Sequence, residues 1–139
     1  MKISAKEEYA CAAVLELALN YESDSPVRVQ DIAERNGIPI KFLFQIMQIL
    51  KRVEIVRSKR GMEGGYVLAR HPGQITVGDI IKSVSGPFVQ LSSDGQKTSQ
   101  FQSIWSDLDR AIAGVLNGVT FEDLARRTRA SQHQVMYHI

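Results

Sequence analysis

The 139-residue chain is poor in cysteine, in long apolar runs and in net charge. Its single cysteine, Cys11, cannot close an intrachain disulfide or complete a four-cysteine zinc or iron–sulphur site, which excludes a disulfide-stapled secreted domain and a zinc ribbon. No run approaches the ~18 consecutive apolar residues of a membrane-spanning helix. The start, Lys2-Ile3-Ser4-Ala5-Lys6-Glu7-Glu8, turns charged where a signal peptide turns apolar. A soluble, cytoplasmic protein without a membrane partner is the expectation. His71, His133 and His138 share no i, i+4 spacing, and with no second cysteine they predict no metal site. No Ser-His-Asp set and no paired carboxylates stand out, so nothing points to an enzyme.

The net charge of +2 hides a strong local imbalance. Between Lys41 and Arg70 seven basic residues face two acidic ones, a net +5 that leaves −3 for the rest of the chain. Attraction to phosphates depends on local charge, so this segment is a candidate polyanion-binding surface. With 44% hydrophobic residues, the chain can bury roughly two-thirds of its unfolded surface, enough for one core and an appendage.

Periodicity supplies the elements. Ser4-Ala5-Lys6-Glu7 fits a capping box and predicts a helix to about Leu19, with Ala10, Val14, Leu17 and Ala18 inward. A short helix over 29–36 stops at Asn36-Gly37, and Pro39 opens the next one. There Leu43, Ile46, Met47 and Leu50 recur at i, i+3, i+4 and i+7, which leaves Lys41, Gln45, Gln48 and Lys51 on the outer face. Two helices joined by so short a turn form a helix-turn-helix. The strand-like runs Ile55-Val56-Arg57 and Tyr66-Val67-Leu68-Ala69 flank a basic, glycine-rich tip and predict a hairpin, the wing. Gly64-Gly65 is expected to supply positive φ for the return, and Gly61 a close backbone approach. Lys59 and Arg60 are expected to stand out from the body as phosphate or minor-groove contacts, and Arg57 lies on the same hairpin.

A further helix begins at Thr76 and runs to Val84. Beyond a polar connection, Ile104, Trp105, Leu108, Ile112, Val115 and Leu116 repeat at threes and fours. Such a stripe needs a cover, and a second copy of the chain is the expected one. The fold class is thus mainly α with a small β-wing: a winged helix-turn-helix domain plus a long C-terminal dimerisation helix. The expected division is 1–88 for the winged domain, 89–100 for a flexible linker, 101–119 for the dimerisation helix, and 120–139 for a short helix and frayed tail. Cys11, among alanines, is expected to be a small core residue rather than a redox group.

The run from Leu50 to Arg70, with its Arg60-Gly61-Met62-Glu63-Gly64-Gly65-Tyr66 wing, closely resembles the signature of the Rrf2 family of bacterial transcription regulators. Asp31-Ile32-Ala33, Ile38-Pro39, Ile75-Thr76-Val77-Gly78-Asp79-Ile80 and Ile104-Trp105-Ser106-Asp107-Leu108 resemble family positions too, so the likeness covers nearly the whole chain. It implies a homodimer that binds near-palindromic double-stranded operators, usually as a repressor. It also implies base reading by Lys41, Phe44, Gln45 and Gln48, and minor-groove insertion of Arg60. Phe44 stands where the family usually has a polar residue. Glu54 replaces the glycine that usually ends the recognition helix, so a different closure of that turn is expected. Cluster-bearing members carry three cysteines between the wing domain and the dimer helix, whereas 87–104 here contains none. No iron–sulphur cofactor is therefore expected, and the likeness is to members that sense a metabolite or a protein partner. Two rivals stay open at this point. One is a winged-helix interaction module that no longer reads DNA; the other is an atypically ligated cluster or redox sensor with Cys11 and non-cysteine ligands.

Overall fold

A computed structural model describes residues 2–60, 64–90 and 100–137. In chain order the elements are helices α1 (Ala5–Leu19), α2 (Val29–Asn36) and α3 (Ile40–Arg52), strands β1 (Val56–Lys59) and β2 (Gly65–Leu68), and a 3-10 turn, Pro72–Gln74. Helices α4 (Val77–Ser85), α5 (Gln102–Leu116) and α6 (Phe121–Tyr137) follow. The architecture is mainly α with a two-stranded wing, as expected. The wing tip at 61–63 and the connection at 91–99 lie outside the described residues. No helix among the described residues is long and apolar enough to cross a membrane.

Helix α1 is the axis of the core. Ala10, Ala13, Val14, Leu17 and Ala18 are buried along one stripe, and small side chains there let α3, α4 and α6 approach closely. Only half of the predicted capping box forms. The Ser4 hydroxyl accepts from the Glu7 amide at 3.2 Å, but the Glu7 carboxylate takes the Ser4 hydroxyl at 3.0 Å instead of the Ser4 amide. The carboxylate is turned inward, where Ser85 of α4 also donates to it at 3.2 Å.

Helix α2 ends at Gly37, whose φ of 62° is left-handed, and the Ile38 amide returns to the Ala33 carbonyl at 3.0 Å. Pro39 then fixes the entry into α3. The far end of α3 departs from expectation. Glu54 takes φ 60°, the Ile55 amide bonds the Leu50 carbonyl at 3.0 Å, and the Glu54 amide bonds Lys51 at 3.1 Å. These are the two bonds of a Schellman closure, with a glutamate in the position that favours glycine. The turn therefore closes in the glycine manner despite the replacement. Arg70 braces it by donating to the Glu54 and Val53 carbonyls at 3.3 and 3.1 Å.

The C-terminal part also differs from expectation. Helix α6 is 17 residues long rather than short, because its start is built into the core. Thr120 and Asp123 cap each other's backbone amides at 3.3 and 3.1 Å. Phe121 is fully buried, and its amide reaches the Ile75 carbonyl at 2.9 Å. Ala125 follows it inward, and Arg129 donates to the Leu19 carbonyl that ends α1. By contrast α5 has no buried residue and touches the body mainly through α4.

Candidate nucleic-acid interface

The inward face of α3 is Leu43, Ile46, Met47 and Leu50, all inaccessible to solvent. Burying these four fixes the rotation of the helix and turns Lys41, Phe44, Gln45, Gln48 and Lys51 outward together. Phe44 keeps 42% of its surface exposed, which is costly for an aromatic ring unless something covers it. No acidic residue lies on α3, and its last turn carries Lys51 and Arg52.

The wing is docked beside this face. Strands β1 and β2 pair antiparallel, Val56 with Leu68 through Lys59 with Gly65. A third piece of chain joins them: Val27 and Tyr66 exchange both backbone hydrogen bonds at 2.9 Å. Gln48 of α3 reaches the Tyr66 hydroxyl at 3.5 Å, linking recognition helix and wing. The Val27 pairing also explains Gly65. Its φ is not left-handed; instead a Cβ there would lie 2.5 Å from the Val27 carbonyl oxygen, so the residue is needed for close approach. The expectation of positive φ at Gly65 is thereby corrected. Gly64 lies exposed beside it, and Gly61, expected to make a close approach, is outside the described residues.

Lys59 is not held out from the body. Its ammonium binds the Asp24 carboxylate at 2.9 Å and the Asp24 carbonyl at 2.7 Å. That hydrogen bond, and next the Lys59 charge, hold the Asp24 carboxyl below its ordinary 3.8. Asp24 itself has φ 50°, so the α1–α2 turn is shaped to receive the wing. Arg57 and Arg60 are exposed. Arg57 shares a shallow depression with Lys51, Glu54 and Arg70, so the cations at the end of α3 and along β1 form one continuous surface. Sequence reasoning missed Val27, Asp24 and Arg70 as supports of this surface, because each acts on a partner 16 to 39 residues away.

On α5, Ile104, Trp105, Leu108 and Val115 are exposed, while Ile112 and Leu116 are half-buried. The donor set for a metal is thin. Cys11 is half-buried in α1, and burial first, then the charges of Glu8 and Glu7, push its thiol from the ordinary 9.0 up to about 11. A metal-binding thiol needs the opposite shift. Among the described residues no group of three or more His, Cys, Asp or Glu stands together to hold an ion.

Comparison with known proteins agrees with this geometry. The Rrf2 family profile, described as an iron-dependent transcriptional regulator, matches residues 3–127. The HTH-type transcriptional regulator CymR of Bacillus subtilis is 34% identical over 139 residues, covering both chains completely. The solved structure of B. subtilis CymR, the global cysteine regulator, superposes with a TM-score of 0.79 at 33% identity over 91% of this chain and 98% of that one. T. potens IscR superposes with a TM-score of 0.80 at 33% identity, over 95% and 91% of the two chains. Among the described residues no three-donor group accompanies the iron named in that description. A match over almost the entire length, the shared winged fold and the outward-facing α3 lead to one statement: the chain belongs to the Rrf2 family of HTH-type transcriptional regulators.

Proposed function

We propose that the protein is a cluster-free, homodimeric repressor that binds a near-palindromic operator and releases or tightens its grip in response to a metabolite or a protein partner. The observation that carries this reading is the outer face of α3. Lys41, Phe44, Gln45 and Gln48 share one exposed side of a helix whose other side is locked into the core, with the basic wing fastened next to it. Gln45 suits bidentate pairing with adenine, Lys41 a guanine or phosphate, and the Phe44 ring a thymine methyl. Arg60 reaches for the narrow minor groove. Lys51, Arg57, Arg70 and the wing backbone at Gly64-Gly65 position the protein on phosphates. The apolar stripe of α5 pairs with its copy, which sets two recognition helices about 34 Å or a multiple of it apart.

Selection of bound duplexes from a random pool should enrich a two-fold symmetric sequence. Arg60→Ala should weaken binding of that sequence by ~1–3 kcal/mol in a gel-shift titration. Binding that ignores both sequence and salt would overturn the reading in favour of an interaction module.

A further inference from the structure

Several cations around α2 and the wing are already committed within the chain. On α2, Arg35 pairs with Glu16 at 2.8 Å; on β1, Lys59 pairs with Asp24 at 2.9 Å; and Arg70, after β2, donates to the carbonyls that end α3. Arg28, just before α2, is different. It is exposed, and its guanidinium makes no hydrogen bond or ion pair among the described residues.

On local grounds arginine is the wrong residue for that position. Arg28 is the N-cap of α2, with an extended backbone at φ −75° and ψ 141°, and no side chain caps the helix. Ser, Thr, Asp or Asn there would accept from a free amide of the first turn, whereas a cation meets the positive end of the helix dipole. Asp31 in that turn forms no ion pair with it. A residue that gives up a cap and faces a like charge points to a compensating partner outside the chain.

Tertiary structure sets this arginine against the wing. Val27 and Tyr66 exchange backbone hydrogen bonds at 2.9 Å in an antiparallel bridge, so Arg28 and Gly65 come next in register. A Cβ on Gly65 would lie 3.1 Å from the Arg28 amide nitrogen, and Gly65 itself pairs with Lys59, the neighbour of Arg60. With the Lys59 ammonium taken by Asp24, Arg28 is an uncommitted cation at this edge of the wing.

We infer that Arg28 is a phosphate contact of the DNA interface. Its guanidinium binds two oxygens of a backbone phosphate beside the groove that Arg60 enters, and it positions the wing without reading sequence. The basic surface of α3 and the wing thereby extends to the start of α2, outside the segment 41–70. The inference rests on the regulator reading above, because it adds a residue to that same interface.

Fluorescence anisotropy of the full chain on a random-sequence duplex and on the selected operator, between ~50 and ~200 mM KCl, tests it. Arg28→Ser should weaken binding of both duplexes by the same factor and make the logarithmic salt dependence shallower by about 0.9 for each protomer bound. The same variant should unfold at a higher temperature than the native chain, because serine supplies the missing cap. Arg28→Lys, which keeps the charge, should hold the native slope. Arg35→Gln should hold it as well, since it removes a charge of the same sign from the same helix, but one already paired with Glu16. An unaltered slope in Arg28→Ser, a loss confined to the operator, or an equal drop in Arg35→Gln overturns the contact and leaves the regulator reading in place. A lowered unfolding temperature in Arg28→Ser assigns the arginine to the fold and overturns the contact too. Native binding that ignores salt overturns the regulator reading itself, and the contact falls with it.

Discussion

Glu54 occupies a left-handed backbone position at the end of the recognition helix, with φ 60°. For a residue with a Cβ this costs about 1–2 kcal/mol, of which a glycine would give back part through its freer unfolded chain. Glu54→Gly should therefore raise stability by roughly 0.5–1 kcal/mol in urea unfolding, with an unchanged dependence on denaturant. Cys11 shows the opposite kind of constraint, a reactive group made inert. With its thiol at about 11 instead of 9.0, its thiolate fraction at pH 8 is about a hundredfold below that of an ordinary thiol. Iodoacetamide labelling of the folded protein should be slowed to a similar degree relative to the urea-unfolded chain. Equal rates would contradict the burial. Glu7 was open to sequence reasoning in one respect only. It falls in step with Ala10, Val14 and Leu17 on the inward stripe of α1, where a charge is out of place. The capping-box pattern explained it away.

At the scale of elements, the helix-turn-helix was readable because its signals are local. The 3.6-residue period of α3, Gly37 in the turn and Pro39 at the entry each act within one turn of helix. The wing was readable as a hairpin, but its anchorage was not, because the Val27 bridge and the Asp24–Lys59 pair join segments far apart in sequence. Its glycine was assigned the wrong reason for the same cause: close approach is a property of the neighbour, not of the residue. The Asp24–Lys59 pair has a definite pH dependence. A carboxyl held below its ordinary 3.8 in the folded state contributes above that value, and loses its contribution as pH falls below 3.8 through the lowered folded one. A carboxyl-carbon NMR titration should place the Asp24 midpoint below 3.8 in the native protein. In Lys59→Met it should move back up toward 3.8.

For the molecule as a whole, α5 is the element that the other described residues leave most uncovered. Val115 keeps 68% of its surface exposed and Ile104, Leu108 and Trp105 lie open with it. In an isolated protomer, Val115→Glu would be close to silent. If the stripe pairs with a second copy, two charges enter one interface, and the dimer should weaken by on the order of 2–4 kcal/mol. Sedimentation equilibrium of the variant should then show protomers at concentrations where the native chain is dimeric. An unchanged mass would place the partner surface elsewhere.

What the amino-acid order determined by itself was governed by short range: the helix periods, the helix-turn-helix turn residues, the outward set on α3, the basic balance of 41–70 and the shortage of cysteine. Those suffice for the fold class and the family. Only tertiary structure decided that α6 begins inside the core at Phe121, that Lys59 braces the wing rather than reaching outward, and that Glu7 turns from its helix cap toward Ser85 of α4. The physical reason is common to all three. Each outcome depends on which distant surface offers a better partner than water or the local backbone, and that is settled only when the elements have packed.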